Sequence, residues 1–124
     1  MLDCLILGDS IAVGVGEARP ECMTVAEVGI TSEEFAYSYR GAPDAMRVIV
    51  SLGSNDKGDS SEALWHLRQS IHGRVIWILP ARRFQQGAVR KLAAQFGDKT
   101  VTIPAVRRDG VHPSDYRRLA DLTR

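Results

Sequence analysis

The sequence predicts an α/β fold in which a five-stranded parallel sheet is covered by helices on both faces. Two observations carry this. Five apolar runs of strand length alternate with segments of helical period, the pattern that calls for parallel strands joined by helical crossovers. Two of those runs, RVIVSL at 47–52 and RVIWIL at 74–79, are apolar on both strand faces, as in the centre of a sheet sandwiched between helix layers. A length of 124 residues with 44% hydrophobic content suits one domain, able to bury roughly two-thirds of the surface its unfolded chain exposes.

Taken in order, residues 2–7 form the first strand, ended by Gly8, and residues 10–18 the first helix. A weaker strand follows at 24–28. The helix at 32–39 has a mechanism for its start, since Thr31 and Ser32 supply capping hydroxyls and Glu33 and Glu34 place negative charge in the first turn. After the strand at 47–52 comes the most polar stretch, 53–59, and then a helix at 60–71 with Ser60, Ser61 and Glu62 at its start. Gly73 and Gly97 are expected to stop helices. The strand at 74–79, a helix at 86–96, a short strand at 100–103 and a last helix at 113–122 complete the chain. Trp65 and Trp77 fall on faces expected to pack in the core, and His66 and His72 on positions expected to be structural.

Parallel strands point one way, so their carboxyl ends share a rim where ligands bind near the switch in strand order. The segments due at that rim are Gly8-Asp9-Ser10, Gly29-Ile30-Thr31, Gly53-Ser54-Asn55-Asp56, Pro80-Ala81-Arg82-Arg83 and residues 106–113. They gather a hydroxyl, an amide, a carboxylate and an imidazole. Ser10, at a helix start where unpaired N–H groups favour negative charge, reads either as a cap or as a nucleophile in need of a base. Asp109-Gly110-Val111-His112-Pro113 offers the base. An aspartate three residues before a histidine, across a glycine turn, can hold one ring nitrogen and leave the other free, as in a Ser-His-Asp triad. The Ser10 N–H, the Gly29 N–H and the Asn55 side-chain amide are the candidate donors to an oxyanion.

GDSIAVG, the glycine of VGITS, GSND and DGVHP, in that order along nearly the whole chain, resemble the four blocks of the SGNH, or GDSL, hydrolases. The resemblance implies a flavodoxin-like strand order 2-1-3-4-5 and ester hydrolysis without metal or organic cofactor. It makes Ser10 the nucleophile, Asp109 and His112 its partners, and Ser10, Gly29 and Asn55 the oxyanion hole. The near-minimal loops imply a shallow, open site suited to small acyl esters, with acetyl groups on carbohydrate first among them, rather than long-chain lipids. A catalytically silent module of the same type, binding a glycan or a protein, is the alternative.

Other classes fit less well. GxxxxGK[ST] fails at Val15-Gly16 and GxGxxG fails at Arg19, which argues against a nucleotide site. Gly14 and Gly16 read instead as permitting close packing. Residues 1–62 carry 4 basic and 11 acidic side chains and residues 63–124 carry 12 and 4, so a net charge of +1 conceals halves of about −7 and +8. No nucleic acid and no membrane is expected as partner. Arg82 and Arg83 are candidates to bind an anionic substrate such as an acidic glycan. With no leader-like or membrane-spanning run, the chain reads as cytoplasmic. Cys4 and Cys22 have no zinc-like spacing, and Cys4 reads as a buried free thiol.

Overall fold

The computed structural model describes every residue except Ala42. Strands β1 (Leu2–Gly8), β2 (Met23–Ala26), β3 (Ala45–Ser51), β4 (Arg74–Ile78) and β5 (Lys99–Val101) form one sheet in the order β2-β1-β3-β4-β5. Every neighbouring pair is parallel. The fold is therefore the three-layer, flavodoxin-like α/β/α arrangement that the sequence predicts.

The strand period of two decides which side chains serve which layer. Leu5, Leu7, Val48, Val50, Val75 and Trp77 face one side. There they pack on α2 (Ser32–Ser38), α3 (Ser61–Gln69) and α4 (Gly87–Phe96), through residues such as Phe35, Leu64, Leu67, Val89 and Leu92. The intervening Cys4, Ile6, Ile49, Ile76 and Ile78 face α1 (Ser10–Ala18) and α5 (Tyr116–Leu122), meeting Ile11, Val15 and Leu119. Alternation inside two-sided apolar strands is what lets each strand feed two cores.

Several expectations shift for identifiable reasons. Helix α5 begins at Tyr116 rather than Pro113, because Pro113 is spent in an antiparallel bridge with Val106 and Asp115 caps the helix by accepting from Arg118 N. Gly97 ends α4 in the left-handed region as expected. Gly73 does not end α3, which stops at Gln69; it lies against the Ala45 carbonyl, where a Cβ would overlap. Trp77 is fully buried, its indole N–H donating to Asp98. Trp65 is not a core residue: α3 buries Leu64 and Leu67, which leaves Trp65 38% exposed on the flank against Phe96. His66 is exposed beside Glu62, and His72 is exposed as well.

Cys4 is not a free thiol. It forms a disulfide with Cys22, 18 residues later. The register that pairs Leu5 with Met23 brings the preceding residues of the two strands to a Cα separation of 4.9 Å, within reach of a bridge. Disulfides persist in oxidising surroundings, so the pairing runs against the cytoplasmic expectation. Among the described residues no helix is long and apolar enough to cross a membrane.

Candidate active site

Strand β1 turns to β2 on one side and β3 on the other, so a crevice opens at the carboxyl ends of β1 and β3. Gly8 closes β1 there with φ 142°, a conformation costly for other residues, and a side chain on it would overlap the Ser51 carbonyl of β3. This close approach lets Asp9 N donate to Ser51 O at 3.0 Å and Ser51 Oγ donate to Asp9 Oδ1 at 3.3 Å. Asp9, not Ser10, is the cap of α1, accepting from Ile11 N at 3.0 Å. Ser10 is thereby the first helical residue, with its hydroxyl free for another partner.

That partner is His112. Ser10 Oγ lies 2.9 Å from His112 Nε2, and His112 Nδ1 lies 2.6 Å from Asp109 Oδ2. An ionised carboxylate accepts and never donates, so Nδ1 carries the proton, and Nε2 is left to accept from the serine hydroxyl. Asp109 stays ionised well below the usual carboxylate range, chiefly because His112 N and Val111 N donate to its Oδ1, with the imidazole adding to the effect. The loop that carries the pair closes on itself. Arg107 N donates to His112 O, Gly110 N to Arg107 O, and Ser114 N to Ala105 O, with Gly110 at φ 71° turning the chain. Tyr116, four residues beyond His112, fits its ring into the space left by the missing side chain of Gly14, which seats α5 on α1. Gly16 makes similar room for Thr24.

Asn55 stands after β3 on the other side of the crevice. Its Nδ2 donates to Ile30 O at 3.0 Å, which leaves the second amide hydrogen available. The contact ties it to the turn that holds Gly29, whose φ is 82°. The backbone N–H groups of Ser10 and Gly29 donate to no protein acceptor among the described residues. The crevice thus combines a hydroxyl aligned with a base and N–H groups that have no protein partner, which is what nucleophilic attack on an acyl carbonyl requires.

The braces behind Asn55 escape sequence reasoning. Asp56 Oδ1 accepts from Ser32 N at 2.8 Å, and its Oδ2 accepts from Ser32 Oγ at 2.6 Å and Ser60 Oγ at 2.8 Å. Ser60 thus precedes α3 without capping it by a side-chain bond. Gln85 Nε2 donates to Ser54 O and Asp56 O, both at 3.0 Å, and so grips the backbone on each side of Asn55. Only the GSND string hints at Asp56, and nothing local marks Gln85.

Asp9 Oδ2 is fully buried and has no hydrogen-bond partner among the described residues. Burial pushes the Asp9 carboxyl up to about 6, against the bonds from Ile11 and Ser51. Arg82 and Arg83 are both exposed near the rim; Arg82 shares a cleft with Asn55, and Arg83 does not line it. Donor atoms of Cys4, Glu21 and Cys22 lie within 4.8 Å of one another, but both sulfurs are consumed by the disulfide and offer no thiolate to a metal.

No protein-family model matches the sequence, and no curated protein matches it either. Among solved structures, the chain is similar to the C-terminal catalytic domain of Streptococcus pneumoniae peptidoglycan O-acetyltransferase A (OatA), determined with a methylsulfonyl adduct. The TM-score is 0.60 at 16% identity, covering 98% of this chain and 87% of that one. The likeness is one of fold.

Proposed function

We propose that the chain is a serine-dependent esterase of the SGNH type that acts on small acyl esters, acetyl esters of carbohydrate first among them. The observation that carries this is the unbroken line Ser10 Oγ, His112 Nε2, His112 Nδ1, Asp109 Oδ2, whose serine and histidine are 102 residues apart. Such an alignment of hydroxyl, imidazole and carboxylate has no structural need that a simple capping bond would not meet.

In this reading His112 removes the Ser10 proton as Oγ attacks the carbonyl carbon. The tetrahedral oxyanion receives hydrogen bonds from the N–H groups of Ser10 and Gly29 and from Asn55 Nδ2. Collapse expels the alcohol oxygen, which takes the proton from His112, and leaves an acyl group on Ser10. Water, deprotonated by His112, attacks that acyl group and releases the carboxylic acid and the free serine. Asp109 stabilises the imidazolium of both steps without taking the proton, in keeping with its depressed carboxyl.

The fold neighbour is named as an O-acetyltransferase of peptidoglycan, which favours a second reading: the acyl group passes to a sugar hydroxyl instead of water. The disulfide favours work in an oxidising compartment over the cytoplasm.

Hydrolysis of p-nitrophenyl acetate and butyrate by wild type and Ser10→Ala, with a fluorophosphonate probe followed by mass spectrometry, tests the proposal. Ser10-dependent turnover, faster on acetate, and labelling at Ser10 are expected. Acetylated product on an added oligosaccharide would select transfer over hydrolysis. Equal turnover by wild type and mutant on every acyl ester, with no label, would select the silent binding module.

A further inference from the structure

Beside Asn55 the rim opens into a cleft of about 460 Å³ whose walls include Lys57, Arg82 and Phe84. Phe84 is 74% exposed and belongs to neither core cluster. The backbone that carries it is nevertheless braced. It sits on the 3-10 turn Arg83–Gln85, held from below by the two Gln85 bonds to Ser54 O and Asp56 O and by Gln86 Nε2 donating to Pro80 O at 2.9 Å. An aromatic ring this exposed contributes little to folding, and it presents an apolar face to the cleft.

The charges around the ring point the same way. The Arg82 and Lys57 side chains are exposed and make no hydrogen bond or ion pair among the described residues. Asp56 lines the cleft too, but its carboxylate is turned onto Ser32 and Ser60, as that of Asp59 is onto Ser61, and the two cations outnumber the one acid on the cleft wall. The cleft therefore offers an aromatic face and two free cations on a wall that it shares with Asn55.

We propose that this cleft seats the sugar of an anionic acylated glycan. The apolar C–H face of the ring lies on Phe84, the carboxylate pairs with the Arg82 guanidinium, and Lys57 adds positive charge to the same cleft. The esterified hydroxyl is then directed toward Ser10, a step that rests on the proposed function.

The test is equilibrium binding, so that it does not depend on turnover. Ser10→Ala protein is titrated calorimetrically with an O-acetylated oligouronide of three sugars, with the same glycan after carboxyl reduction, and with inorganic phosphate. The oligouronide is expected to bind about tenfold tighter than its neutral counterpart, with the advantage shrinking as salt rises. Arg82→Gln should erase that preference while Arg82→Lys keeps part of it, and Phe84→Ala should weaken both glycans about tenfold. Equal affinity for the two glycans, an Arg82→Gln variant that still discriminates, or displacement of the oligouronide by equimolar phosphate would each overturn the subsite. Failure of the esterase reading shows elsewhere, as aryl-acetate turnover that survives Ser10→Ala.

Discussion

His112 stands on a loop whose hydrogen bonds are made almost entirely within itself, whereas Asn55 stands on a loop gripped by other elements. Asp109 reaches only to Val111 and His112, and the backbone bonds that close the loop run between residues 105 and 114. Asn55, by contrast, depends on Ile30, and its neighbour Asp56 on Ser32 and Ser60, while Gln85 crosses from the far side of β4. The base side of the site is built locally and can remain exposed. The proposed oxyanion side is built by tertiary contact, so its geometry and the stability of the fold are coupled.

That contrast predicts different consequences for changes of similar size. The largest effect belongs to Asp109→Asn. The amide oxygen still accepts from Val111 and His112, so the loop keeps its shape, but an N–H now faces Nδ1 and favours the wrong tautomer. Steady-state kinetics should show kcat reduced about 10⁴-fold with thermal stability nearly intact. Asn55→Ala should follow, at about 100- to 1000-fold in kcat, because one proposed oxyanion donor is lost. Asp56→Asn should differ from both. It leaves Ser32 and Ser60 without a carboxylate and should lower both kcat and the unfolding free energy, the latter by about 1–3 kcal/mol in denaturant titrations. Stable Asp56→Asn protein with full activity would show that the brace is dispensable and the contrast misplaced.

The disulfide offers a control far from the crevice, since Cys4 lies toward the opposite end of β1 from Ser10. Replacing both cysteines with serine should cost about 3 kcal/mol of stability, from the freed 18-residue loop, while kcat on aryl acetate at permissive temperature stays close to wild type.

The smallest effect concerns pH, where the two aspartates act in opposite directions. Asp9 titrates higher in the fold than in the open chain, so its stabilising contribution is complete below about 3.8 and is lost as pH rises toward about 6. Asp109 titrates lower, so its contribution is complete above the ordinary carboxylate range and is lost only as pH falls below it. Melting temperatures of Asp9→Asn should therefore decline less than wild type between pH 4 and pH 6 (on the order of the two pKa values above), since asparagine caps a helix about as well. Melting temperatures of Asp109→Asn should decline less than wild type in stronger acid.

Legibility in the sequence followed the same division. Asp109 and His112 are three residues apart across a glycine, so their hydrogen bond could be read from spacing alone. The start of α2 is equally local: a capping hydroxyl followed by acids in the first turn is legible, and in the fold Thr31 and Glu34 exchange bonds as a capping box. Gln85 could not be found, because its two acceptors lie about 30 residues earlier and only the packing of β3 beside β4 brings them near. The same holds for Cys4 and Cys22, whose pairing depends on the β1–β2 register, and for Trp65, whose exposure depends on which face α3 turns inward.

The sequence by itself determined the order of strands and helices, the two-sided apolar character of the central strands, and the turn that joins Asp109 to His112. Each of these rests on periodicity or on bonds between near neighbours. Only the tertiary structure decided that Ser10 meets His112 at 2.9 Å, that Cys4 is bridged, and that Phe84 stands in water beside the Arg82 and Lys57 side chains. The Ser10–His112 contact and the disulfide turn on strand register and on how distant segments pack, which no local pattern encodes.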